Sequence, residues 1–338
     1  MMNMKYAQTV LALLAIAGLA NAEGEFGLTG NVQTQATKAL YDNDTDENLS
    51  SFFFRSNFGG KYTSDDFDGE VNIRMYATKF GNVSGQDRFQ ADTYYGNYKW
   101  ALSSSKLNLK LGHWKTDYSR GGNFGSYVDQ LVSKRGFLAR DYSHDAFELG
   151  WQAGPSTLTA MLATSDAKFN TGYVKVEDKL KITDPFEVNL GYRVNAIDPI
   201  QYTAVMTHRM DLRANFEVMP KFSVYGEVAA IITGKDDAVN DSSISEGTAV
   251  KPEYKQDTNY FPFYVGLEIP TAGIFDKAFV EVEYVKDRDE LNADADNAAW
   301  TVGIVKKIGS RTKAQVSAYS EKEISDVALA ARISTTIK

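Results

Sequence analysis

Three histidines are the side chains of this sequence best suited to a general acid–base step near neutral pH: His113, His144 beside Asp145, and His208. A hydrolase would also need a nucleophile activated by such a base, and no nucleophile elbow, zinc-ligand cluster or phosphate-cradling glycine loop accompanies them. The chain is therefore not expected to be an enzyme. Asp42, Asp44 and Asp46 have the spacing that opens an EF-hand loop, but Glu47 stands where the turn glycine belongs and Phe53 where the bidentate glutamate belongs. No metal site or other cofactor is expected. A second acidic stretch, Asp287, Asp289, Glu290, Asp294 and Asp296, reads as a solvated loop or as a place where divalent ions bridge to an anionic surface.

The remaining chemistry is electrostatic, and it falls at every second position. Arg55, Asn57, Asn72, Arg74, Lys110, Glu148, Arg193, Arg209, Arg213, Glu227, Glu281, Glu283, Lys313, Gln315 and Arg332 alternate with apolar neighbours, as do Gln33 and Gln35. The apolar partners include Phe26, Leu28 and Val32; Val71, Ile73 and Met75; Leu107, Leu109 and Leu111. Further sets are Phe147, Leu149 and Trp151; Phe222, Val224 and Val228; Trp300, Val302 and Ile304. Alternation of this kind marks strands with one greasy and one polar face. Charges of both signs on the polar face would cost several kcal/mol each in a dry core, whereas a water-filled interior removes that cost. His208 is the exception, because it shares the apolar face with Tyr202, Met206, Met210 and Leu212. It is expected to look into lipid or a subunit contact.

The elements that must carry these faces are strands of about ten residues, the length that spans a bilayer when tilted. Sixteen alternating segments are read, near 24–37, 50–63, 69–80, 88–102, 105–118, 145–153, 156–167, 172–183, 186–195, 201–216, 221–233, 260–269, 277–287, 298–308, 312–321 and 326–337. Their connections sort by parity. Even-numbered ones are short and rich in turn formers, such as Gly154-Pro155 and Asp184-Pro185, while the long ones, 38–49, 119–144, 234–259 and 288–297, are all odd-numbered. Omitting 172–183 would put the connection 234–259 on the short side, so parity favours sixteen strands. The fold expected is an all-β, transmembrane antiparallel β-barrel occupying 23–338 as one domain. A soluble sandwich has no reason to sort its loops this way.

Composition agrees. The mean hydropathy is -0.34, and after the N-terminal stretch no apolar run is long enough for a helical span. Residues 1–22 carry Lys5, an apolar stretch from Val10 to Leu19 and the ending Ala20-Asn21-Ala22, which reads as an export signal peptide. The absence of cysteine leaves an exported chain to be held by hydrogen-bonded ladders or a large core. With 19 Tyr and 19 Phe there is material for interfacial aromatic belts, and the net charge of -8 argues against nucleic acid as a partner.

The connection 119–144 contains Arg120, Gly121, Gly122, Asn123, Phe124, Gly125, Asp129, Lys134, Arg135, Arg140 and Asp141. Here the chain resembles the sixteen-stranded Gram-negative porins, in which a third external loop folds into the lumen opposite arginines of the wall. Phe124-Gly125 beside Gly121-Gly122 is similar to that loop's Phe-Gly-Gly turn, in a different order. The resemblance implies a constriction built from Arg120, Asp129, Arg135, Arg140 and Asp141 against Arg55 and Arg74. The remaining pore lining would be Lys110, Arg193, Arg209, Arg213, Glu227, Glu281 and Glu283. It further implies passage of small hydrophilic solutes and ions across a bacterial outer membrane, contact with lipopolysaccharide, and a homotrimer; a channel specific for anions or sugars, or an adhesin or structural outer-membrane protein with an occluded lumen, are the alternatives on the same architecture. A transverse field across such an aperture orients dipolar solutes. Two departures stand against the pattern. The loop's acids and bases are nearly balanced, and the chain finishes Ile337-Lys338 without the usual terminal aromatic residue.

Overall fold

The computed structural model describes residues 24–41, 50–78, 89–116, 143–164, 172–197, 207–233, 259–284, 286, 296–320 and 324–337. The expected export signal, 1–22, and the connection 119–144 except for 143–144 lie outside the described residues.

Strands β1 (Glu25–Tyr41), β2 (Ser50–Thr63), β3 (Phe67–Thr78), β4 (Phe89–Ala101), β5 (Ser105–Lys115) and β6 (Ser143–Ala153) are followed by β7 (Ser156–Thr164), β8 (Gly172–Thr183), β9 (Phe186–Ile197), β10 (Thr207–Met219) and β11 (Phe222–Thr233). Next come two short segments, Asn259–Tyr260 and Phe263–Pro270, both paired with β11. The pairs Ile231–Tyr260 and Val228–Phe263 keep one register, so the segments form a single strand, β12. The interruption is at Pro262, which has no N–H to give the ladder, although its carbonyl still accepts from the Ala229 N–H at 2.9 Å. Strands β13 (Lys277–Tyr284), β14 (Ala298–Lys307), β15 (Thr312–Tyr319) and β16 (Val327–Ile337) complete the chain.

Each strand pairs antiparallel with its sequence neighbours, and β1 pairs with both β2 and β16. The result is a closed sixteen-stranded antiparallel barrel. Closure leaves no sheet edge, which is what permits strands to cross a membrane without orphaned backbone groups. One end of the barrel is built from short turns. Gly154, Gly273 and Gly309 there adopt φ of 56°, 98° and 98°, and Lys221, after Pro220, adopts 69°. These are left-handed conformations that tight turns demand and glycine supplies at least cost.

Cross-strand partners share a face, so register assigns inside and outside. The outer face carries Phe26, Leu28, Phe58, Ile73, Leu107, Leu111, Phe147, Leu149, Val228, Val302 and Ile333, all exposed. Val71 belongs to this face by register, opposite Gly60 and Tyr94, yet is buried. Near the short-turn end, outward aromatics meet in pairs: Phe67 with Tyr98 at 4.9 Å between ring centroids, and Phe186 with Phe216 at 5.8 Å. Trp100 and Trp151 extend this belt. Toward the opposite rim Tyr94 stacks on His113 at 5.3 Å, Tyr192 on His208 at 6.1 Å and Phe263 on Tyr284 at 5.6 Å. An apolar band between two aromatic belts is the outer surface a bilayer selects.

Candidate pore wall and constriction

On the inner face of β1–β3 and β16, arginines are oriented by carboxamides. Arg55 Nη2 donates to Gln33 Oε1 at 3.0 Å, Arg74 Nε to Asn57 Oδ1 at 3.3 Å, and Arg332 Nε to Gln35 Oε1 at 2.8 Å. Gln33 and Gln35 are buried, so their amide oxygens form a fixed seat for each guanidinium. Arg74 also forms an ion pair with Asp92, whose other oxygen accepts from Asn57 Nδ2 at 2.9 Å. Asp92 reaches this place through a β-bulge: two residues of β4 stand against one of β3 between Asn72 and Ile73. The strict alternation read from the sequence passes over Asp92 for that reason.

Across the lumen, β8–β11 carry an interlocked network. Lys175, Arg193 and Arg209 lie side by side in register across β8, β9 and β10. Arg209 Nη2 meets Glu227 Oε1 at 2.7 Å, Arg213 Nη2 meets Glu177 Oε1 at 2.9 Å, and Asp211 lies 3.6 Å from Arg209 Nε and 3.5 Å from Arg213 Nε. Arg193 sits 4.0 Å over the Tyr173 ring. On β13, Glu281 accepts from Tyr225 Oη at 3.1 Å. Glu227, Glu281 and Glu283 are only 1–2% exposed. The acids are thus not loose groups bathed in water; they are packed among inward aromatics and bases, which supply part of the solvation that water would.

The wall of β4–β8 is different in character. Trp114, Met161 and Tyr173 pack with Ala146 and Ala163 into an inward cluster that Tyr95 borders. Lys110 lies over the Tyr95 and Trp114 rings, 3.9 Å and 4.3 Å from their centroids. At the end of β5, Thr116 is bound from two directions. Its Oγ1 accepts from Tyr173 Oη at 2.7 Å and lies 2.6 Å from His144 Nδ1, while its carbonyl accepts from Lys175 Nζ at 2.8 Å. Lys175 belongs to β8, three strands away from β5, about 14 Å across the sheet. That contact holds Thr116 over the inner face at the end of β5.

Arg55, Arg74, Lys110, Arg193, Arg209, Arg213, Glu227, Glu281 and Glu283 therefore all occupy inward rows, on both sides of the barrel. Arg120, Asp129, Arg135, Arg140 and Asp141 lie outside the described residues. The site residues that alternation did not single out are Asp92, displaced by its bulge, and Thr116 with Tyr173, whose roles depend on strands that are distant in sequence. Asp211 and Glu177 likewise gain their roles only from the bases brought beside them.

The histidines separate by face. His144 points inward to Thr116, whereas its neighbour Asp145 points outward, where its Oδ1 lies 2.8 Å from Tyr94 Oη and 2.9 Å from His113 Nδ1. His208 is on the outer face, with Nδ1 2.8 Å from Tyr192 Oη. Among the described residues no group of three or more His, Cys, Asp or Glu side chains is arranged to hold a metal ion.

Neither a protein-family model nor a curated protein sequence matches the chain. Solved structures do. The outer membrane channel DcaP of Acinetobacter baumannii is similar with a TM-score of 0.60 at 11% identity, covering 94% of this chain and 99% of that one. Two mutants of the Rhodopseudomonas blastica porin are similar at 11% identity with TM-scores of 0.55 and 0.53, each covering 93% of this chain and all of theirs. At this identity the likeness is one of fold, and the fold is that of the Gram-negative outer-membrane porins.

Proposed function

We propose that this chain, which folds as a porin barrel, is a bacterial outer-membrane porin that lets small hydrophilic solutes and ions diffuse through its lumen. The single observation that carries this reading is the division of the closed sheet into two surfaces. An apolar outer face bounded by aromatic belts encloses inward rows of mixed-sign charge, running from Arg332, Arg55 and Arg74 on one side to Arg193, Arg209 and Glu227 on the other. Side chains alone cannot fill a sixteen-stranded barrel, so a polar wall of this size calls for water along it. We read the protein as a channel and not as an enzyme, exported by its N-terminal signal and working as a homotrimer in contact with lipopolysaccharide.

The connection 119–144 supplies the constriction in this reading, with Arg55 and Arg74 on the facing wall. Thr116, the last described residue before it, supports this, being held against Lys175 and Tyr173 on the inner surface. A second reading, a channel selective for one solute class, is favoured by the ring-held Lys110 and the aromatic cluster behind it, which a non-selective sieve does not need.

Planar-bilayer recording of the purified barrel tests both. Stable conductance steps in KCl, unchanged by added neutral or charged solutes, support the general pore. Steps blocked by one solute class support the selective channel, and the absence of any conductance overturns both.

A further inference from the structure

We propose that the inner wall at β4–β6 binds zwitterionic solutes with an aromatic or other apolar body, Glu148 taking the ammonium end and Lys110 the carboxylate end. This rests on the channel reading and names the solute class of that same lumen. Lys110 of β5 and Glu148 of β6 stand directly opposite one another on the inner face. Opposite charges so placed ordinarily close into a cross-strand pair. Here, among the described residues, the two form no ion pair, because the Lys110 ammonium is drawn instead onto the faces of Tyr95 and Trp114.

The rings that divert Lys110 are themselves fixed. Tyr95 Oη donates to Glu70 Oε2 at 3.0 Å, and Tyr95 meets Trp114 edge-on at 6.3 Å and 71°. Trp114 is buried against Ala146, Met161, Ala163 and Tyr173. Lys110 and Glu148 are only half-buried, so both charges face the lumen. The wall thus holds a base and an acid apart beside an apolar aromatic surface.

A solute with an ammonium and a carboxylate on one carbon fits that division. Each of its charges finds the opposite one, and its body lies against the partly buried Tyr95 ring that borders the Trp114 cluster. A simple anion gains Lys110 but is repelled by Glu148, and a simple cation meets the reverse. Near Glu148 the base Lys175 and the acid Glu177, 3.4 Å apart on β8, offset each other, whereas near Lys110, Glu70 and Asp68 outnumber Lys61, which disfavours a simple anion further. Partial burial strengthens both attractions relative to water.

The test uses the whole barrel with L-phenylalanine, benzoate, 2-phenylethylammonium and glycine as probes. Equilibrium dialysis against detergent-solubilised protein and current block in planar bilayers are read side by side. Phenylalanine is expected to bind and block at concentrations about two- to fivefold below those of benzoate, phenylethylammonium or glycine, as one further exposed charge contact or aromatic contact provides. Glu148→Gln should bring phenylalanine to the level of benzoate, and Lys110→Met to that of phenylethylammonium. Resistance of each variant to SDS at room temperature verifies that its barrel has formed. Equal binding of benzoate and phenylalanine, or no binding of either, overturns the proposal. Binding in dialysis without conductance removes the channel reading and leaves the site standing, whereas conductance without this preference removes only the site.

Discussion

His113 and Asp145, thirty-two residues apart, stand with Nδ1 and Oδ1 at 2.9 Å on the outer face of the barrel, while His144, the immediate neighbour of Asp145, points into the lumen. The pleat makes this unavoidable: consecutive side chains of a strand leave on opposite faces, and the partner of a residue is found on the next strand. Asp145 also accepts from Tyr94, so one carboxylate serves two donors at the upper aromatic belt. Replacing it leaves both donors unsatisfied. Asp145→Ala should lower unfolding stability in lipid vesicles by about 1–3 kcal/mol, and Asp145→Asn, which keeps an acceptor, by less. Equal losses for the two variants would show that the hydrogen bonds are not what the carboxylate contributes.

Arg209 Nη2 and Glu227 Oε1 stand 2.7 Å apart across β10 and β11, with both side chains nearly inaccessible. Removing one charge strands the other. Arg209→Ala should cost about 3–5 kcal/mol in urea unfolding, while Arg209→Met combined with Glu227→Gln should recover most of it. A double variant no better than the single one would mean that volume, and not charge, is what the pair supplies.

For the opposite wall the expectation concerns current rather than stability. Arg55→Ala with Arg74→Ala removes two inward positive charges that Gln33 and Asn57 hold in place. The reversal potential in a salt gradient should move toward cation preference. An unchanged reversal potential would remove these arginines from the aperture.

Gly112 adopts φ of 135° on the inner face of β5, and a Cβ there would come within 2.1 Å of the Tyr94 carbonyl oxygen. Both conformation and space exclude a side chain. Gly112→Ala should destabilise the barrel by about 1–3 kcal/mol from the backbone alone, with the clash adding to it. Chemical denaturation read by tryptophan fluorescence measures this, since Trp114 lies two residues away on the same face.

In the turn between β12 and β13, Asp276 accepts from the Lys307 N–H at 2.6 Å, and this bond holds its carboxyl below the usual carboxylate range. A lowered pKa in the folded state means the stabilisation is complete above the unfolded-state value and is lost as pH falls through the folded one. Exchange protection of the Lys307 amide should therefore fall on acidification below pH about 4, and Asp276→Asn should remove that pH dependence. Protection that stays constant as pH falls would show that Asp276 is not its source.

The strands were legible in the sequence because a half-apolar wall forces a period of two, and long runs of it cannot be mistaken for turns. Strands β2 and β8 begin and end where alternation places them, at 50–63 and 172–183. Of the segment read at 201–216, residues 201–206 lie outside the described residues, and the rest is strand, running on as β10 to Met219. Parity of loop lengths carried the strand count, since a chain that enters and leaves at one end needs an even number. Inward direction was legible for the same reason, and it placed Arg55, Arg74, Arg193 and Glu227 on one surface.

What alternation could not supply was the partner of each inward group. Asp92 joins Arg74 only because a bulge adds one residue to β4, and Thr116 meets Lys175 only because the closed sheet brings β8 within reach of the end of β5. The diversion of Lys110 from Glu148 onto two rings is likewise a matter of where Tyr95 and Trp114 lie. Periodicity along one strand is a local property, fixed by the pleat and by which face meets lipid. Contact across several strands is set by closure, register and bulges, so the sequence by itself determined a two-faced barrel and only the tertiary structure decided which charges meet.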